Sequence, residues 1–127
     1  MRAQRRIVFP YKSYKGFSCP IIPIEIHGIL IDAYVDSGAM YSCVPGKILR
    51  DLGIEPHSHR EFILANGEII RRSMGTAAFE YQGLRGDSLV MFGEEGDTHL
   101  LGVTTLETFG FILDPLRNEL KPVPLRM

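Results

Sequence analysis

The chain is poor in the features that would point to a membrane or a nucleic acid. Its 14 Lys and Arg residues are balanced by 15 Asp and Glu, a formal net charge of −1, so no basic excess marks a polyanion as partner. None of its apolar runs is long enough to span a bilayer. The basic start, MRAQRRIVFP, lacks the apolar stretch of a secretory signal. These absences lead to the expectation of a cytoplasmic protein with no nucleic-acid and no membrane partner. Cysteine is scarce. Cys19 and Cys43 both sit in apolar surroundings, and two buried, reduced thiols are the simpler reading, with a disulfide left open. There is no internal repeat beyond a hairpin, no linker and no low-complexity tract. With 127 residues the expectation is one domain with a modest core, residues 19–127, after an arm, 1–18, without clear periodicity.

What the chain does contain is mostly of period two. In IIPIEIHG, Ile22, Ile24 and Ile26 alternate against Ile21, Pro23 and Glu25, the pattern of a strand. Pro23 cannot donate to a ladder, which places that strand at an edge or gives it an irregular start. His27-Gly28 reads as a two-residue turn, and ILIDAYVD runs back from it with Ile29, Ile31, Ala33 and Val35 on one face. Asp36 closes this second strand. PGKILRDLG predicts a helix of at most two turns, with Pro45 in the first turn and Gly53 as the stop. IEPHSHR reads as a loop. Asn66-Gly67 is the strongest hairpin signal, because both residues tolerate positive φ. TAAFEYQG and RGDSLVMF form another pair around Gln82-Gly83. HLLGVTTLETFG predicts a short helix with Thr104 and Glu107 as a capping box and Gly110 as the stop. FILDP and ELKPVPL close the chain as strands on either side of a turn at residues 116–118. The sum is a mainly β domain.

Asp36-Ser37-Gly38 alone is weak evidence of chemistry, since all three residues favour turns. Its context is stronger. The acid ends a buried-looking strand, Gly38 and Ala39 leave little bulk beside it, and Leu100-Leu101-Gly102 follows later, just before a helix. In this order the two elements resemble the retropepsin-like (retroviral-type) aspartic protease family, from about Pro20 to about Pro122. The resemblance implies a closed, antiparallel, barrel-like acid-protease fold with one short C-terminal helix. It also implies an aspartic endopeptidase without metal or cofactor. Asp36 would be the catalytic acid, and Ser37, Gly38 and Ala39 the active-site loop. Leu100, Leu101 and Gly102 would form the supporting element behind that loop. Leu64, Ala65, Asn66, Gly67 and Glu68 would form a flap over a peptide or protein substrate. Family members often pair a further acid after this loop with an Arg in the last helix. Here Met40 or Tyr41 and Val103 or Thr104 stand at those places.

Proteolysis by carboxylates needs two of them sharing one proton, and two carboxyls about 3 Å apart do not both ionise cheaply. A chain with a single Asp-Ser/Thr-Gly can supply the pair only across a twofold axis, so the reading requires a homodimer. Its rivals are a non-catalytic peptide-binding module of the same fold and a monomeric scaffold in which Asp-Ser-Gly is only a turn. Of the other acids, Asp32 reads as a solvent-side strand residue and Asp114 as a turn-former. Asp87 and the run Glu94-Glu95-Gly96-Asp97 read as solvated turns. His57 and His59 lack a third metal ligand nearby and read as an exposed loop. Ser42 and Ser88 lack a nucleophile context. A cysteine hydrolase built on Cys43 is remote.

Overall fold

The structure, a computed structural model, describes residues 5–7, 21–114, 116–117 and 119–123. The strands are β1 (Arg5–Ile7), β2 (Ile21–Ile26), β3 (Ile29–Val35), β4 (Ser42–Pro45), β5 (Ser58–Ile63), β6 (Ile69–Tyr81), β7 (Leu84–Gly93), β8 (Leu100–Leu101), β9 (Phe111–Asp114) and β10 (Glu119–Pro122). Two short helices join them, α1 (Gly46–Asp51) and α2 (Val103–Phe109). The main sheet runs β1-β3-β2-β6-β7-β4-β8, and β8 also pairs with β3, so the path of bonded neighbours returns on itself.

That sheet is mixed, not antiparallel as expected. β1 and β8 run parallel to β3, and β4 runs parallel to β7. The reason is that β4 and β8 are reached through loops and a turn rather than tight hairpins, which frees their direction. Both short helices expected from the sequence form, α1 as well as α2, where the resemblance alone implied only the C-terminal one. β9 and β10 pair as a separate two-stranded sheet. β1 falls within the segment left as an arm; Cys19 lies outside the described residues.

The period-two reading of β2 and β3 holds residue by residue. Ile24, Ile26, Ile29, Ile31, Ala33 and Val35 are all buried and join Phe79, Val90, Leu101 and Leu106 in one core. Burying each large aliphatic side chain contributes about 1.5–3 kcal/mol. The turn at His27-Gly28 has φ of 47° and 83°, and the one at Gln82-Gly83 has 50° and 79°, both matched to the right-handed twist of their hairpins. The half of β2 that carries Pro23 pairs with β3 alone, and β6 is met only at Glu25 and Ile26.

Several local expectations are revised. In the β5–β6 hairpin Gly67 takes positive φ, 85°, and Asn66 does not. Asn66 Oδ1 instead accepts from the Glu68 N–H at 2.9 Å, and Gly67 N–H donates to Leu64 O at 2.9 Å. This is a three-residue loop with glycine in the left-handed position. Pro45 is the N-cap of α1, not part of its first turn. The capping box of α2 does not form: Gly102 is the N-cap, with no side-chain cap, while Gly110 ends the helix at φ 75° as expected. β5 begins at Ser58, which shortens the expected loop. Asp87 is an exposed strand residue opposite Ala78, not a turn. Asp114 does form its turn, with Oδ1 accepting from the Leu116 and Arg117 N–H groups at 3.0 and 3.3 Å.

Candidate active site

β3 delivers Asp36 to the end of a buried strand, and its parallel neighbour β8 fixes where it stops. Asp36 N–H donates to Leu101 O at 3.0 Å, so the loop leaves the sheet directly behind the acid. The loop then folds on itself. Gly38 N–H donates to Asp36 Oδ1 at 2.8 Å, and Ala39 N–H to Asp36 O at 3.2 Å. A side chain at position 38 would begin 3.2 Å from Asp36 Oδ1, so glycine leaves the carboxylate approachable. Asp36 is half-buried, with Ser37 and Gly38 exposed beside it.

The loop rests on the start of α2. Val103 N–H donates to Ala39 O at 2.8 Å and Thr104 N–H to Met40 O at 3.0 Å. Bracing between loop and helix therefore runs through backbone, with no charged side chain at either place. Below it lies a buried hydroxyl cluster that sequence reasoning missed. Thr105 Oγ1 bonds the Ser42 hydroxyl and, at 3.0 Å, the Ser88 hydroxyl, while Gly102 N–H donates to Ser42 Oγ at 3.0 Å. Ser42, Ser88 and Thr105 are thus interior pins that satisfy one another. No short motif could have revealed them, because the bonded partners lie far apart in sequence. Gly102 sits so close to the loop that a Cβ there would stand 2.5 Å from the Tyr41 carbonyl carbon.

A cleft of about 630 Å³ opens beside the loop that follows Asp36, between residues 38–41, strand β5 at 60–62, and the turn at 96–98. Two contacts shape its sides. The Tyr41 ring packs edge-on against Phe62, centroids 6.4 Å apart, and the Arg60 guanidinium lies 5.1 Å from the Tyr41 centroid. On the other side Arg72 Nε and Nη2 grip the two Asp97 oxygens at 2.8 and 3.1 Å, and Arg72 Nη1 reaches Glu94 at 3.1 Å. Asp97 is therefore a half-buried clamp and not a solvated turn acid. Burial alone would raise its pKa, but the Arg72 guanidinium and the Glu94 N–H hold it below the usual value. Leu64, Ala65, Asn66, Gly67 and Glu68, expected as a flap, form the exposed tip of the β5–β6 hairpin whose base borders this cleft.

Cys43 is buried, and burial pushes its thiol up to about 12, with the Asp97 charge adding to the effect. Such a thiol is a poor nucleophile. His57 bonds the Thr76 and Ser58 hydroxyls at 2.9 and 3.1 Å, and His59 meets Ser73 at 3.4 Å. Both imidazoles are tied to hydroxyls of their own sheet.

No family model matches the sequence, and no curated protein does. Among solved structures, the solution structure of the Simian Foamy Virus (mac) protease matches with a TM-score of 0.54 and 25% identity. The match covers 69% of this chain and 92% of that one. The chain thus carries a mainly β, retropepsin-like fold similar to that of a retroviral protease.

Proposed function

We propose that the protein is an aspartic endopeptidase, active as a homodimer in which two Asp36 carboxylates share one proton. One carboxylate draws a proton from water while the other hydrogen-bonds the scissile carbonyl. The observation that carries the reading is the seat of Asp36. It ends β3 on a bond to Leu101, with Gly38 clearing its face and Gly102 admitted beneath its loop, in a fold similar to a viral protease. An extended peptide would lie across the loop under the β5–β6 hairpin and gain strand-like backbone bonds. Ser37 would brace the paired loops, and residues 64–68 would exclude water. No metal or cofactor enters the reaction.

Purified protein incubated with an unstructured protein should give cleavage at acid to near-neutral pH. Asp36→Asn should lower the rate by at least about 10³-fold with the fold intact, since both carboxylates of the homodimer's shared-proton pair are lost. Cleavage that survives this substitution in pure material would end the proposal. The second reading, a peptide-binding module without catalysis, is favoured by the missing ion pair, since Met40 (64% exposed) or Tyr41 stands where members of the resembled family often hold an acid. It predicts peptide binding by both forms and cleavage by neither.

A further inference from the structure

The main sheet closes on itself through joints of unequal length. β6 and β7 stay in register from Met74 to Tyr81, and β2 and β3 from Ile21 to Ile26. β2 meets β6 only where Glu25 faces Glu80 and Ile26 faces Phe79. This short joint links the strand pair that ends at Asp36 to the pair that leaves the β5–β6 hairpin. Ile26 and Phe79 are fully buried and fill its inner side. Glu25 and Glu80 stand on the outer side, the first half-buried and the second exposed, around a cavity of about 500 Å³ shared with Pro23, Leu30 and Tyr81. Like charges directly opposite each other weaken an antiparallel pair, so the polar half of the joint depends on whether both acids ionise.

The two side chains hydrogen-bond each other, which two carboxylates without a proton between them do not do. Their surroundings decide where that proton sits. Beside Glu25, β3 offers Leu30 and, across from Pro23, Asp32. Beside Glu80, β7 offers Arg85 directly across and Asp87 across from Ala78. His27 Nε2 accepts from the Ala78 N–H at 3.3 Å, so that nitrogen carries no proton. The cation facing the pair is therefore Arg85, next to Glu80, and the proton belongs on Glu25. The hydrogen bond to Glu80, then burial and the Glu80 charge, raise Glu25 above its ordinary 4.5. We propose that Glu25 and Glu80 are a pH-sensitive latch on the β2–β6 joint, which bonds the two halves of the sheet while a proton is shared and repels them once both acids are ionised. The latch is complete below pH 4.5 and is lost as pH rises through the raised value of Glu25. It works whether or not Asp36 is catalytic.

The test is NMR on the full chain without added ligand. In the wild type the Glu25 and Glu80 carboxyl carbons should titrate together in two separated steps, and in Glu80→Gln the Glu25 carboxyl should titrate in one. Amide exchange, corrected for its intrinsic pH dependence, reads the joint itself. From about pH 4 to about pH 8, protection at residues 25, 26, 79 and 80 should fall about two- to fivefold relative to residues 88–90 of β7. Salt at roughly 1 M should shrink that fall. Glu80 is exposed, so glutamine there leaves the fold intact. Its amide can donate to Glu25 at every pH, and protection should then stay level; Glu25→Gln should behave alike. Independent single-step titration of the two acids overturns the latch. So does protection that stays level in the wild type, or a fall that both glutamine variants retain.

Discussion

Gly102 has a spatial role rather than a conformational one. Its φ of −95° suits any residue, but the Tyr41 backbone occupies the space where a side chain would begin. Gly102→Ala should therefore push the Asp36 loop off α2. We expect a loss of about 3 kcal/mol in a urea titration, together with loss of whatever activity Asp36 supports. Cys43 illustrates a different single-residue consequence. Its thiol is raised from 9.0 to about 12, so folding favours the protonated form. The folded state's advantage is complete below pH 9 and is lost as pH rises toward 12. At pH 8 the folded protein should leave Cys43 unlabelled by iodoacetamide over the time in which urea-unfolded protein reacts fully, read by mass at the Cys43 peptide.

At the scale of elements, the turn between β7 and β8 also responds to pH. His99 is held neutral by burial, a shift that the Asp97 charge only partly offsets, and Asp97 is held charged chiefly by Arg72 against its own burial. Both folded pKa values lie below their ordinary ones, so the unfolded chain binds more protons and stability falls with acid. The His99 contribution should fade as pH drops below about 6.5, and the Asp97 contribution only below its usual range near 3.8. Arg72→Met should cost about 2 kcal/mol at pH 7, because it leaves a half-buried carboxylate without its two donors. It should also flatten the lower step in urea midpoints measured from pH 7 to 3. The sequence had offered this acid as one of a solvated run. The clamp was invisible there because Arg72 and Asp97 meet only when β6 and the 94–99 turn are brought side by side.

For the whole molecule, one Asp-Ser-Gly per chain makes association a condition of the proposed chemistry. Sedimentation at micromolar concentration should show a dimer, and specific activity should fall on dilution as the pair of Asp36 residues separates. A monomer of undiminished specific activity at nanomolar concentration would leave a single carboxylate to do the work of two, and would sink the mechanism.

What the sequence determined by itself was local and periodic. The buried faces of β2 and β3, the glycine turns at 27–28 and 82–83, the stop at Gly110 and the position of Asp36 at a strand end all follow from alternation and φ preference, which neighbours in the chain decide. The tertiary structure decided what depends on residues distant in sequence. It chose parallel partners for β4 and β8, replaced the expected Thr104–Glu107 cap by a Gly102 that bonds Ser42, and set Thr105 between Ser42 and Ser88. It also turned Asp97 from a turn acid into one wall of a cleft and Tyr41 into the other. Hydrogen bonds and close approaches of that kind carry no period and no spacing, because they exist only once the sheet has brought the strands together.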